Sequence, residues 1–208
     1  CIVAAHAPLA AMAQEYCGPT VRVVPLEVED NWLRDCGPIV LVNEQRVTQL
    51  AACFRFNAWG EKYRPYDGCA RLAADIAALA QLPVAQSEMV LEGGAFHVDG
   101  RGTLLTTESC LLNPNRNPGM TRPEMEAELR RMLGVRKVIW LPGNIAEVET
   151  NGHVDGIASF VAPGRMLFNA ADPDQGDYFR AMQENRRALE LATDAEGRRL
   201  EIQIGRAS

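Results

Sequence analysis

Three times along this 208-residue chain an ionisable residue stands between a β-prone run and a glycine-marked strand pair, at intervals of about sixty residues. Around Asp35 the chain reads Asp35-Cys36-Gly37-Pro38, followed by the apolar run Ile39 to Val42. Around Glu92 it reads Glu92-Gly93-Gly94-Ala95-Phe96, then Asp99-Gly100-Arg101-Gly102 and a second run from Thr103 to Thr107. The third copy is Gly152-His153-Val154-Asp155-Gly156, followed by Ile157 to Val161, a Pro163-Gly164 turn and Met166 to Phe168. A supersecondary unit repeated at such a period packs around an axis, because each copy buries its open face against the next. Three copies therefore direct a carboxylate, a second carboxylate and a His-x-Asp pair towards a common centre.

The coarse secondary structure follows the same rhythm. Short β-prone runs precede each ionisable position: Val21 to Leu26, Val84 to Leu91 and Val138 to Leu141. Helical patterns lie between the copies. In Tyr66 to Leu82 the residues Leu72, Ile76 and Leu79 recur at three- and four-residue spacing, and Pro83 ends the pattern. Thr121 with Glu124 three residues on reads as a capping box, opening a helix that runs to Leu133 and stops at Gly134. Further helices are expected from Asp177 to about Leu191 and from Pro8 to Tyr16. Asp99-Gly100 and Pro163-Gly164 read as hairpin turns.

With 47% hydrophobic and 23% charged residues the chain can bury a core of its own, and no apolar run approaches a membrane span. A net charge of −6 argues against a nucleic-acid partner and fits a small cationic one. The six cysteines, at 1, 17, 36, 53, 69 and 110, show no Cys-x-x-Cys pair and no ligand-like spacing with the three histidines. Neither zinc nor a disulfide framework is expected, and a reducing cytoplasm fits best. The chain opens at Cys1 on the apolar run Ile2 to Ala5 and stops at Ser208 just after the alternating run Leu200 to Ile204. Both ends cut into repeating structure. The expectation is therefore a single domain that is a portion of a longer catalytic domain, lacking its N-terminal and C-terminal repeats.

In a β-prone segment His153 and Asp155 would share one face, since strand side chains alternate. An imidazole beside a carboxylate can act as a general acid/base near neutral pH. A lone His-x-Asp is ordinarily a structural pair. Here Asp35 and Glu92 hold equivalent places in the other copies, each followed by glycine within two residues, which permits close approach of backbone or ligand. Several carboxylates and one histidine, with no metal-ligand set, fit a planar cationic substrate rich in donors. A guanidinium is such a group, because its N–H fork pairs with carboxylates.

Four separated stretches carry a resemblance. Asp30-Asn31-Trp32-Leu33-Arg34-Asp35-Cys36-Gly37-Pro38, Glu92-Gly93-Gly94, Thr106 to Pro118 and Glu149-Thr150-Asn151-Gly152-His153-Val154-Asp155 together resemble the agmatine deiminases, which group with the bacterial peptidyl-arginine deiminases in the guanidino-group-modifying superfamily. The similarity runs from about Val21 to Arg199. It implies an α/β fold, the five-fold pseudosymmetric α/β propeller (pentein), of which this chain covers about three repeats. It implies that Asp35 and Asp155 grip guanidinium nitrogens, that His153 serves the leaving ammonia and then water, and that Glu92 holds a further nitrogen or the histidine. Trp32 would pack on the substrate and Glu149 would line its pocket. No metal and no organic cofactor is implied.

The family's nucleophile is a cysteine in a glycine-rich segment near the C-terminus, and that segment is not among these residues. Cys36, where the family usually has threonine, would point away from Asp35 on a strand; Cys110 lies far in sequence from any acid/base pair. All six cysteines read as structural. So do Trp59 and Trp140, as core or rim, and the Arg186-Arg187 cluster with Glu184 and Glu190, as a solvated helix face. The Asn113 to Gly119 run reads as a rigid turn, and His6 and His97 have no evident partner. Val148 and Asn151 depart from the acidic residues usual in the family. The expected activity is hydrolysis of a guanidine, agmatine first, to N-carbamoylputrescine and ammonia through a cysteine thiolate, in polyamine synthesis. The alternatives are a peptidyl-arginine or other small-guanidine deiminase, and a non-catalytic guanidine-binding fragment. A small cationic guanidine is the expected partner, with self-association into a homo-oligomer as a further expectation.

Overall fold

The computed structural model describes residues 2–45 and 47–205, with nothing said of the side chains of Ile2 and Gln49; Cys1 lies outside the described residues. The chain forms two compact units, Cys1–Glu88 and Met89–Ser208.

The first unit opens with strand β1 (Ile2–Ala5), helix α1 (Ala10–Cys17) after a single 3-10 turn (Ala7–Leu9), and β2 (Arg22–Pro25), which pairs parallel to β1. Then come the one-turn helix α2 (Leu33–Cys36), strands β3 (Ile39–Val42) and β4 (Thr48–Arg55), the short helix α3 (Ala58–Glu61), α4 (Asp67–Leu79) and β5 (Val84–Val90). β3 and β4 pair antiparallel in a sheet of order β3-β4-β5. Helix α4 ends three residues short of Leu82, and its buried stripe is Cys69, Leu72, Ala73 and Ala77. Leu79, expected on that stripe, is exposed.

The second unit repeats that order of elements twice. A 3-10 turn (Gly93–Ala95) leads into the hairpin β6 (Phe96–Val98) and β7 (Thr103–Thr107), then α5 (Glu108–Leu111), α6 (Arg122–Leu133) and β8 (Lys137–Leu141), parallel to β7. Another 3-10 turn (Val154–Gly156) leads into β9 (Ala158–Ala162) and β10 (Arg165–Asn169), then α7 (Asp177–Leu191) and β11 (Glu201–Gly205), parallel to β10. Both expected hairpin turns are present, and α6 has the Thr121–Glu124 capping box and a left-handed Gly134 stop.

The core of this unit joins Leu105, Ile139 and Leu141 from one sheet to Phe160, Met166 and Phe168 from the other, with Met182 and Leu189 of α7 against them. Between those two on the same helical stripe sits a fully buried Asn185. Its amide accepts from Gly143 N at 2.8 Å and donates to Gly143 O at 2.9 Å, satisfying a buried loop that no strand pairs. Asn185→Ala strips a partner from each of two backbone groups and is expected to cost about 2–3 kcal/mol in urea unfolding. Glu184→Ala, on the exposed face one residue away, should fall within about 0.5 kcal/mol of the parent.

One expectation needs correction. His153 and Asp155 do not lie on a strand; they flank Val154 at the start of a 3-10 turn. Asn151 (φ 64°) and Gly152 (φ 83°) turn the backbone left-handed just before it, His153 N donates to Thr150 Oγ1, and Ile157 N bonds back to Val154 O. The strand begins only at Ala158. Asp35 and Cys36 likewise sit in a helical turn rather than a strand, so alternation does not separate their side chains.

Candidate functional site

Each repeated ionisable residue sits in or just before a one-turn helix that precedes a hairpin. Such a turn gathers several backbone N–H groups within a few residues of one side chain.

In the first unit Asp35 is half-buried, and its Oδ2 accepts from Trp59 Nε1 at 3.0 Å. Trp59 has a left-handed backbone (φ 55°, ψ 39°) and is buried edge-on between Phe56 and Tyr63, with ring centroids 5.1 and 5.7 Å away. The expectation of a core tryptophan holds, and the indole also fixes one carboxylate oxygen of Asp35. Trp32, 60% exposed, presents an open indole face. A cavity of about 260 Å³ beside Trp59 is lined by Glu29, Asp30, Tyr63 and Tyr66, but not by Asp35.

Burial pushes the Cys36 thiol up to about 12, with Cys69 and the Asp35 charge adding to it. Burial likewise raises Cys53 and, against the backbone N–H bonds around it, Cys69. A thiol so raised keeps its proton and is a poor nucleophile.

In the second unit Glu92, Arg116, His153 and Cys110 pack together, all four buried. Glu92 and Arg116 side chains are each 1% exposed, and Arg116 Nε donates to Glu92 Oε1 at 2.6 Å. His153 Nε2 stands 3.6 Å from Glu92 Oε2, and Cys110 Sγ lies 4.0 Å from the same oxygen. Burial alone would raise the Glu92 carboxyl; the His153 ring and the Arg116 charge outweigh it and hold the group below its ordinary value. A carboxylate so lowered stabilises the fold fully above pH 4.5, and that contribution is lost as pH falls through the lower folded value. The difference in unfolding free energy between the parent and Glu92→Gln should therefore shrink as the pH is taken from about 5 to about 3. A difference that stays constant over that interval would mean that Glu92 is not held ionised.

Glu92, Cys110 and His153 each offer one donor atom, all within 4.8 Å of one another. The fixed Arg116 charge against Glu92 works against placing a cation there.

The loop that carries His153 is built on Glu147. Its carboxylate accepts from Glu149 N (2.6 Å), Gly152 N (2.8 Å) and Thr150, both N and Oγ1. Burial would raise that carboxyl, but these donors hold it down. From the other side Thr107 Oγ1 donates to Gly152 O at 2.6 Å and Ser109 Oγ to Asn151 O at 2.8 Å. His153 is thereby fixed between two elements, while Asp155 and Glu149 are exposed.

The structure thus brings Glu92 and His153 together and holds Asp35 against Trp59. Arg116, Trp59, Thr107 and Ser109 are support residues that the sequence pattern does not disclose, because each acts across a long separation; Glu147 acts within five residues of itself and is missed all the same. Cys110, distant in sequence, is adjacent in space. His6 and His97 also find partners: His6 Nδ1 lies 2.8 Å from Glu27, and Phe160 N donates to His97 Nδ1. Arg186 pairs with Glu190 on the outer face of α7, as read, and Trp140 is buried with its Nε1 donating to Glu126. No described helix is long and apolar enough to cross a membrane.

A family model of Porphyromonas-type peptidyl-arginine deiminases matches residues 1–204. The agmatine deiminase of Pseudomonas fluorescens is 39% identical over 189 residues, covering 88% of this chain and 51% of that protein. The structure of the agmatine deiminase of Enterococcus faecalis catalysing its reaction aligns with a TM-score of 0.93 at 34% identity, over 99% of this chain and 57% of its own. This chain spans about half the length of the curated relatives it matches. With a match along nearly all of its residues, and a mixed α/β fold shared with agmatine deiminases, the chain belongs to the family of Porphyromonas-type peptidyl-arginine deiminases.

Proposed function

We propose that this chain is part of a hydrolase that converts a small guanidine to a urea and ammonia, with agmatine as the leading substrate. The observation that carries this reading is the buried Glu92–His153 pair: an imidazole against an ionised carboxylate, on a loop whose Gly152 and His153 N–H groups are both held by side chains. Family membership and the agmatine deiminases among its relatives supply the substrate class.

In this reading Asp35 and Asp155 pair with the guanidinium nitrogens, Trp32 stacks on the planar group and Glu149 faces the far end of the substrate. A thiolate adds to the guanidinium carbon, and His153 gives a proton to the departing ammonia. It then takes one from the water that cleaves the amidino-thioether. Neither a metal nor an organic cofactor enters these steps. Cys36, Cys53 and Cys69 are raised by burial, and Cys110 is wholly buried and closed to substrate. With those four set aside, and the chain spanning about half the length of its curated relatives, the nucleophile is assigned in this reading to a cysteine of a longer protein. The hairpin–helix–strand units are read as successive blades of a five-fold α/β propeller, and the chain as a portion of that domain. The enzyme is placed in the cytoplasm, in polyamine synthesis, and its association into homo-oligomers belongs to the same reading.

The test is ammonia release from agmatine, peptidyl-arginine and free arginine by the longest natural polypeptide carrying this chain. Turnover with agmatine and none with the other two is the expected result. Turnover by residues 1–208 alone would return the nucleophile to one of the six cysteines, and Cys110→Ser would be the first variant to examine.

A further inference from the structure

We propose that Arg116 is a positioning residue: its guanidinium locks three separate sequence motifs together and sets how tightly the Glu92–His153 pair holds a proton. Arg116 Nε donates to Glu92 Oε1 (2.6 Å), Nη1 to Asn115 Oδ1 (2.7 Å) and Asn151 Oδ1 (3.0 Å), and Nη2 to Thr150 O (3.0 Å). Glu92 opens one motif, Asn115 belongs to the turn after α5, and Thr150 and Asn151 begin the loop that ends at His153. One planar cation thus fixes the separation between the carboxylate and the histidine loop. Guanidinium suits the task, because its donors radiate in a rigid fork and it does not lose its proton. The next residue adds to the same framework. Asn117 accepts from Val90 N at 2.8 Å and donates to Val90 O at 3.0 Å, clamping the backbone two residues ahead of Glu92.

With 1% of its side chain exposed, Arg116 is closed to substrate and acts through Glu92. The groups that face this carboxylate are Arg116, the Cys110 thiol and His153. A proton that reaches the pair meets a carboxylate already shared with a cation. Remove the cation, and the pair binds that proton more tightly, so its apparent titration moves up in pH. Arg116 thereby loosens the pair's hold on the proton that a general acid/base has to give and take. This function rests on reading His153 as the acid/base, but the measurement below does not depend on any deiminase activity.

The chain contains three histidines, His6, His97 and His153. Their ring protons can be followed by NMR across pH in residues 1–208, with His153→Gln identifying the signal. In Arg116→Met the His153 midpoint should rise by about one pH unit or more, in Arg116→Lys it should stay within about 0.3 of the parent, and His6 and His97 should not move. A folded Arg116→Met variant whose His153 midpoint is unchanged or lower overturns the proposal. Should Arg116→Met fail to fold, Glu92→Gln/Arg116→Met removes both charges and should recover the fold, because no lone carboxylate is left buried. A double variant that also fails to fold overturns the proton-holding role proposed for Arg116, since the residue would then be needed for the backbone it holds and not for the charge of Glu92.

Discussion

His153→Ala, in the longest natural polypeptide that carries this chain, is expected to lower kcat for ammonia release from agmatine by about 10³-fold or more, with little change in KM. That loss is about 4 kcal/mol of transition-state stabilisation. The split between the constants follows from the geometry. The imidazole is buried and faces Glu92, so it adds little to holding the ground-state substrate, whereas in the proposed mechanism both proton transfers pass through it. Asp155→Asn should behave differently. Its carboxylate is exposed, and in the proposed mechanism it holds a guanidinium nitrogen in both ground and transition states, so KM should rise as kcat falls. Arg187→Ala, on the outer face of α7, provides the control. A His153→Ala enzyme with near-parental kcat would remove this residue from the chemistry, whatever the binding data show.

The parts of this molecule that were legible in sequence are those governed by neighbours. The capping box at Thr121, the stop at Gly134, the hairpins at Asp99-Gly100 and Pro163-Gly164 and the span of α7 each rest on residues within a turn or two of one another. The sixty-residue repeat was visible because an ionisable side chain recurs beside a one-turn helix ahead of each hairpin. What period-two reasoning misjudged was the local backbone at that point. A β-prone His-Val-Asp is overridden by Asn151 and Gly152, both left-handed, and by a threonine that captures the His153 N–H. The support of the site was hidden for another reason. Arg116 and Glu92 are 24 positions apart, Trp59 and Asp35 also 24, and Ser109 and Asn151 are 42 apart. A single sequence gives no pairing signal at such distances. Arg116 could have been suspected from the run Asn115-Arg116-Asn117, where a charged residue inside a rigid turn needs a counter-charge.

Gly143→Ala and Gly134→Ala should differ in cost by a wide margin, although both glycines have a positive φ, 90° and 66°. An alanine at either position meets the penalty of a positive φ, about 1–2 kcal/mol. At Gly134, the cap of α6, nothing lies within 4 Å of the added methyl group, and the penalty ends there. At Gly143 the added carbon would fall 2.0 Å from Ser109 Oγ, 2.8 Å from Ser109 Cβ and 3.0 Å from Thr107 Cβ. Rotating the hydroxyl does not relieve this, because Cβ itself is too close. Ser109 must move, and it is the residue that donates to Asn151 O and accepts from Asn144 N. Each lost bond at a buried backbone group costs about 1–3 kcal/mol, so Gly143→Ala is expected to destabilise residues 1–208 by about 4 kcal/mol or more, against about 1–2 for Gly134→Ala. Guanidinium chloride unfolding of both variants measures the gap. The same displacement would release the His153 loop, so Gly143→Ala should also shift the His153 ring signals in NMR, which Gly134→Ala should leave in place. Equal destabilisation by the two substitutions, with His153 unmoved in both, would mean that the close packing of Gly143 against Ser109 is not what holds the loop.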